Sequence, residues 1–150
     1  MNSRILALDL GKRRIGFAVS DPLGITAQGL PTYTRGNIRA DRAYMQQLAM
    51  EWEVQLFLLG NPLHMSGNES RGSQHARDFG ARLTEWTGVP CEYWDERWTS
   101  KVAGRVLRES GMGIDKRALQ VDKLSAVLIL ESYLDSLAYA LDEQREQGLV

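Results

Sequence analysis

The sequence has little cysteine, little histidine and almost no net charge. One cysteine in 150 residues, Cys91, excludes an intramolecular disulfide and a cysteine-rich metal cluster, so Cys91 is expected to be a small buried apolar residue. The two histidines, His64 and His75, lack the partner spacing of a zinc site, and His64 is expected to be an ordinary loop residue. A formal net charge of −1 argues against a protein that coats nucleic acid through bulk charge.

Long apolar runs are also absent from the sequence. No run approaches the ~20 residues that a helix needs to span a membrane, and Asp9 interrupts the short N-terminal run at residues 5–8. We therefore expect a cytoplasmic protein with no membrane partner. The composition, 43% apolar and 25% charged, is typical of a folded globular protein, and a chain of 150 residues is expected to form one domain over residues 1–150.

The spacing of apolar residues predicts an α/β fold. Three strand-like segments come first, and helices then alternate with strands. The predicted elements are strands at 5–10, 15–19 and 25–33, a helix at about 38–52, a strand at 54–60, a helix through 76–86, a strand at 91–94, a helix capped by Thr99 or Ser100, and a last helix from about Asp122 with Val127, Leu130, Leu134, Leu137 and Leu141 on its apolar face. Short connections predict antiparallel pairing of the first three strands, and helical connections predict parallel pairing of the rest. The result is a mixed five-stranded sheet with helices on both faces.

Three acidic residues, Asp9, Glu96 and Asp122, each lie at the end of a predicted element. Each has an ordinary explanation: Asp122 could favour a helix start, Glu96 could pair with Arg97 or Lys101, and Asp9 could be a satisfied buried acid. Together they would meet where parallel strands end, which is where open α/β sheets place their sites. Converging carboxylates repel one another, and a divalent cation bound through oxygen is the usual compensation.

Two further aspartates, Asp21 and Asp95, need to be considered as site residues. Asp21, with Pro22 and Gly24, fits a type I turn and is expected to be a turn residue. Asp95 competes with Glu96 for the same role, and if the chain is extended there the two side chains point to opposite faces.

Three segments, DLGKRRIGFAVSDPLGITAQ, DERWTS and VDKLSAVLILESYLD, resemble the motifs of the YqgF (RuvX) family. This family consists of bacterial relatives of the RuvC Holliday junction resolvase within the ribonuclease H-like superfamily. The resemblance implies a ribonuclease H-like fold and a metal-dependent nuclease that matures the 5′ end of 16S ribosomal RNA. It also implies that Asp9, Glu96 and Asp122 are the catalytic residues and hold Mg²⁺ or Mn²⁺. Asn61 departs from the Gly-Leu-Pro that relatives usually have, which leaves the substrate preference of that loop open.

The cations Lys12, Arg13 and Arg14 follow Asp9 on a predicted hairpin turn. They are expected to contact the phosphates of a nucleic-acid partner, although a solvated turn explains any single one of them. Arg97 could orient a phosphate or pair with Asp95.

Several functions share these features. The partner could be precursor ribosomal RNA or branched DNA, and a Holliday junction endonuclease would need the same metals and a dimer. A non-catalytic RNA-binding module is a second alternative. A kinase of the actin and hexokinase type is a third, but such enzymes clamp nucleotide between two domains. The choice between RNA and DNA, and between monomer and homodimer, stays open.

Overall fold

A computed structural model describes residues 4–61, 71–95 and 114–148, with the backbone alone for residues 71 and 114–120. The elements in these ranges follow the predicted order. They are β1 (Arg4–Leu10), β2 (Arg14–Ser20), β3 (Ala27–Thr34), α1 (Ile38–Glu51), β4 (Val54–Asn61), α2 (Arg71–Thr87), β5 (Cys91–Asp95) and α3 (Ile114–Glu146). The helix predicted to begin at Thr99 or Ser100 lies outside the described residues.

The five strands form one mixed sheet with β1 at its centre, in the order β3-β2-β1-β4-β5. Strands β1 and β2 pair antiparallel, as do β2 and β3. Strands β1 and β4 pair parallel, as do β4 and β5. The predicted sheet is therefore confirmed, including the switch from antiparallel to parallel pairing beside the central strand.

The two faces of the sheet are covered by different helices, and strand alternation decides which residue meets which helix. One face packs under α1 and α2 through large side chains, and the other packs against α3 through smaller ones. The first cluster includes Leu6, Leu8, Ile15, Phe17, Phe57, Leu59, Phe79 and Leu83. The second includes Ala7, Ala18, Leu58, Ala126, Ile129, Leu130 and Leu134. Odd-numbered β1 residues therefore face α3, and even-numbered β2 residues face it too.

The last helix begins earlier than the sequence predicts. We expected it to begin near Asp122, but α3 begins at Ile114, so Asp122 lies more than two turns inside the helix. The sequence after Gly113 contains Ala118, Leu119 and Gln120, which are strong helix formers and extend the helix towards its N-terminus. A helix-start role for Asp122 is therefore wrong, because the helix dipole acts only on the first turn.

The apolar face of α3 is also shorter than predicted. Leu134 is buried against the sheet, but Leu137 and Leu141 are 44% and 48% exposed. The reason is length: a helix of 33 residues is about 50 Å long and extends past the strands that it covers.

Part of α3, Val121–Glu146, contains an 18-residue window with a mean hydropathy of 1.4, and is long and apolar enough to cross a membrane by length and composition alone. This is an exception to the expectation that no apolar run approaches such a span. Its first half, however, covers one face of the sheet, where Ala126, Ile129 and Leu130 are fully buried. A helix that fills a protein core meets the same criterion, so this segment is weak support for a membrane span.

The minor predictions for Asp21 and Cys91 hold in part. Asp21 Oδ1 accepts hydrogen bonds from the backbone N–H groups of Ile25 at 2.6 Å and Thr26 at 2.9 Å, which confirms a turn residue. The bond from Thr26 is the main cause of a lowered Asp21 pKa. Cys91 is half-buried rather than fully buried; its Sγ donates to the Gly80 carbonyl at 3.3 Å, and burial raises the pKa of the thiol.

The backbone of α3 approaches the sheet closely at Gly16 of β2. A Cβ added to Gly16 would overlap the backbone carbonyl of Asp122 and come within 3.0 Å of the Asp122 Cβ. Because backbone cannot move aside as a side-chain tip can, any residue larger than glycine would push α3 away from β2. Gly16 therefore sets how deeply Asp122 enters the fold.

We predict that Gly16→Ala lowers the free energy of unfolding by about 1 to 3 kcal/mol, the usual cost of overpacking. Gly29→Ala is the matched control, since an added Cβ there meets the flexible Lys123 side chain of the same helix at 2.8 Å. Urea unfolding of both variants measures the difference. Equal losses would mean that the contact at Gly16 is not special.

Candidate active site

Asp9 lies next to the C-terminal end of the central strand and faces α3. It follows Ala7 by two residues, and Ala7 packs against the α3 cluster, so alternation places the Asp9 side chain on that face. In the pairing of β1 with β2, Asp9 is opposite Gly16. Asp9 is half-buried there.

Asp122 reaches the same place from α3. Its backbone and Cβ contact Gly16, the residue that faces Asp9 across the strand pair. The Asp122 side chain is 19% exposed. Two of the three predicted acids, from residues more than a hundred positions apart, are therefore neighbours across a residue without a side chain.

Arg14 contacts one of these acids directly. Its Nε donates to Asp122 Oδ2 at 2.7 Å, and its side chain is 36% exposed. The structure pairs Arg14 with Asp122 and leaves Lys12 and Arg13 exposed on the turn, and the expected phosphate contacts of all three stay predictions. The turn at residues 11–14 and Asp122 together line a surface depression of about 270 Å³.

The third predicted acid, Glu96, lies outside the described residues, as do Arg97 and His64. Among the residues that the structure describes, no group of three His, Cys, Asp or Glu side chains could hold a metal ion. The described part of the predicted centre thus consists of Asp9 and Asp122.

Asp95, the competitor of Glu96, belongs to the opposite face. Tyr93, two residues earlier in β5, points to α2, where its hydroxyl donates to the Arg77 carbonyl at 3.3 Å. Alternation places Asp95 on the same side, away from Asp9. Asn61 of β4 pairs with Asp95 in the sheet, and its buried Oδ1 accepts no hydrogen bond from the part of the chain described here.

Comparison with known families agrees with this arrangement. The family model of RuvX, described as a Holliday junction resolvase, matches residues 3–136. The chain belongs to the RuvX family. A relative from Koribacter versatilis is 52% identical over 135 residues, covering 90% of this chain and 88% of its own, and is named "Putative pre-16S rRNA nuclease". A relative from Syntrophomonas wolfei with the same name is 42% identical over 132 residues, covering 88% and 94%.

Solved structures support the fold of this RuvX family member. Thermus thermophilus RuvC superposes with a TM-score of 0.54 at 12% identity, covering 90% of this chain and 96% of its own. The fowlpox virus resolvase, solved with Holliday junction DNA, gives 0.56 at 12% identity, covering 89% and 98%. The expected fold of the RuvC type is therefore confirmed; at such identity the likeness concerns the fold alone.

A polar network on the other side of the basic turn was not predicted. Arg35 Nε donates to Asp41 Oδ2 at 3.1 Å, and Asp41 Oδ1 accepts from the Tyr33 hydroxyl at 2.9 Å and the Gly36 N–H at 3.1 Å. The Asp41 side chain is only 2% exposed. An aspartate in the first turn of a helix is common, so the sequence offered no signal that Asp41 is buried or that Arg35 is its partner.

His75 of α2 is the last member of the network formed by Arg35, Asp41 and Tyr33. Its Nε2 lies 3.2 Å from Arg35 Nη1. A guanidinium has only donors, so Nε2 must accept and His75 must be neutral. His75 is largely exposed, and partial loss of hydration is the main cause of its lowered pKa; Arg35, Arg82 and Lys12 lower the pKa further, and Asp78 opposes them.

The lowered pKa predicts how stability depends on pH. The contribution of neutral His75 is fully present above the unfolded value of about 6.5 and is lost as pH falls from there through the lower folded pKa. His75→Gln keeps an acceptor for Arg35 but does not titrate. The stability advantage of wild type over His75→Gln should therefore shrink between about pH 8 and about pH 5, measured by urea unfolding. His64 is present in both proteins and cancels; a constant difference would contradict the prediction.

Proposed function

We propose that this RuvX family member is a divalent-metal-dependent endonuclease that matures the 5′ end of precursor 16S ribosomal RNA. One observation carries the proposal: the cationic turn at residues 11–14 and Asp122 line one depression beside Asp9. Cations for phosphate and acids for metal are the two needs of phosphodiester hydrolysis, and here they share one surface. The names of the RuvX relatives supply the RNA substrate.

The residues present fit a hard cation. Carboxylate oxygens are the ligands that Mg²⁺ and Mn²⁺ prefer. Asp9 and Asp122 supply them on one face, and the contact of Asp122 with Arg14 at 2.7 Å is that of an acid stabilised by a positive charge. Asp9, Glu96 and Asp122 would hold the metal, and Asp95 is disfavoured because it faces α2. Two bound cations would lower the pKa of an attacking water and stabilise the leaving oxygen.

The protein's own cations would bind the phosphates of the substrate. Lys12 and Arg13 are exposed at the rim of the depression and would bind the substrate backbone. Arg14 would neutralise Asp122 when no metal is bound and would be available to phosphate when one is. Arg97 is proposed as a further phosphate contact. Such contacts hold the substrate in place without reading its sequence.

A Holliday junction endonuclease is the second candidate, because the family model carries that description. Both candidates need the same metals, so the substrate separates them. Cleavage of a precursor 16S RNA fragment and of a synthetic four-way DNA junction, each with Mn²⁺ and with EDTA, is the deciding assay. Binding of RNA without cleavage at any Mn²⁺ concentration would favour a non-catalytic module. As an RNA-processing enzyme, the protein would work in the cytoplasm.

We predict that Asp9→Asn, Glu96→Gln and Asp122→Asn each lower the cleavage rate by on the order of a thousandfold or more, because each removes a charged ligand at nearly constant volume. Asp95→Asn is the matched control and should cleave near the wild-type rate. Mn²⁺ should also raise the melting temperature of wild type and of Asp95→Asn but not of Asp9→Asn, since binding to the native state stabilises it. An inactive Asp95→Asn beside an active Glu96→Gln would reverse the assignment.

The basic turn gives a second prediction for this function. Replacing Lys12 and Arg13 by Ala should flatten the salt dependence of RNA binding by about 0.7 in log-log slope for each phosphate that the variant no longer neutralises. Arg145→Ala, an exposed cation near the far end of α3, is the control and should leave the slope unchanged. If the double variant keeps the wild-type slope, the turn is merely solvated.

A further inference from the structure

Arg35, which follows β3, forms hydrogen bonds to the basic turn between β1 and β2. Its backbone N–H donates to the Arg13 carbonyl at 2.8 Å. Its guanidinium Nη1 donates to the Gly11 carbonyl at 3.2 Å. The turn closes on itself through a hydrogen bond from Gly11 N–H to the Arg14 carbonyl at 2.9 Å. One residue at the end of β3 therefore contacts the turn at two carbonyls, two residues apart.

The guanidinium of Arg35 is itself fixed in direction. Nε points to Asp41, while the two hydrogens of Nη1 are directed at the Gly11 carbonyl and at His75 Nε2. The guanidinium carbon lies 5.2 Å from the centre of the Phe79 ring. The side chain is only 14% exposed, so it is not a solvated surface cation. A planar fork can meet these directions at once, and the single ammonium of lysine cannot.

Stability alone does not explain this buried ion pair. Taking two charges out of water costs much of what their attraction returns, and well-packed apolar residues of similar volume often replace buried ion pairs without loss of stability. An apolar pair could not, however, donate a hydrogen bond to the Gly11 carbonyl. The pair of Arg35 and Asp41 is thus suited to fixing backbone geometry in the turn.

We propose that Arg35 is a positioning residue that, anchored by Asp41, fixes the turn at residues 11–14 and so directs its two exposed cations, Lys12 and Arg13, towards substrate. Arg35 lies on the α1 and α2 face of the sheet and contacts α2 through Phe79, whereas Asp9 and Asp122 lie on the α3 face. Its influence on the site therefore passes through the turn. The consequence for RNA binding rests on the proposed function, but the geometric claim about the turn does not.

Arg35→Lys is the test. This variant keeps a positive charge beside Asp41 and the backbone hydrogen bond to Arg13, but it cannot also reach the Gly11 carbonyl. We expect about tenfold weaker binding of a labelled precursor 16S RNA fragment in EDTA, because the loosened turn and its cations must then be ordered on binding. The backbone amide NMR signals of residues 11–14 should shift, and those of β4 and β5 should not.

Tyr33→Phe is the matched control for loosening the network. It removes one hydrogen bond from Asp41 and leaves both contacts of Arg35 with the turn. It should lower the melting temperature without weakening RNA binding or shifting the turn signals. The proposal is overturned if Arg35→Lys leaves the turn signals or the affinity unchanged, or if Tyr33→Phe weakens binding as much. A wild-type protein that binds RNA but does not cleave it would refute the nuclease function and leave this comparison intact.

Discussion

The arrangement of the site depends on one steric constraint, the contact between the α3 backbone and Gly16. Side chains usually fill the space between a helix and the sheet that it covers. Here the facing strand positions are Ala7, Gly16 and Ala18, so the helix comes close enough for its backbone to contact β2. Asp122 consequently lies, partly buried, near Asp9 at the end of the central strand.

Because Asp9 and Asp122 lie near each other, their negative charges need compensation, and the neighbouring cations supply it. Two carboxylates at neighbouring positions repel each other, and the repulsion grows where solvent is partly excluded. Arg14, which extends from the same face of β2, supplies a compensating charge to Asp122 at 2.7 Å. In the proposed function, a bound metal would compensate Asp122 in place of Arg14. The Arg14 guanidinium would then be available to donate hydrogen bonds to a phosphate. The cationic turn and the acidic pair are therefore one electrostatic unit.

The sequence predicted most of the sheet because strand periodicity and connection length determine it. Position and family resemblance also predicted Asp9 and Asp122 as site residues; the structure brings the two to one face of the sheet, and their roles stay predictions. The start of α3 was misjudged, since Asp122 resembles a helix start and nothing local distinguishes it from a residue further inside. Arg35 was missed for a different reason: its partner Asp41 looks like an ordinary first-turn acid, and pairing between a strand end and a buried helix residue leaves no periodic trace.

The two faces of the sheet contribute different residues to the site, and the turn at residues 11–14 contacts residues from both faces. On the α3 face lie the acids, whose geometry Gly16 sets. On the α1 and α2 face lies Arg35, which is held rigidly because its Nε and Nη1 hydrogens all have partners beside an aromatic ring. A turn of this length has few contacts of its own, and mobile cations would lose entropy on binding each phosphate. Arg35 limits this cost because it fixes the turn from the α1 and α2 face. In that position its own charge does not compete for Asp9.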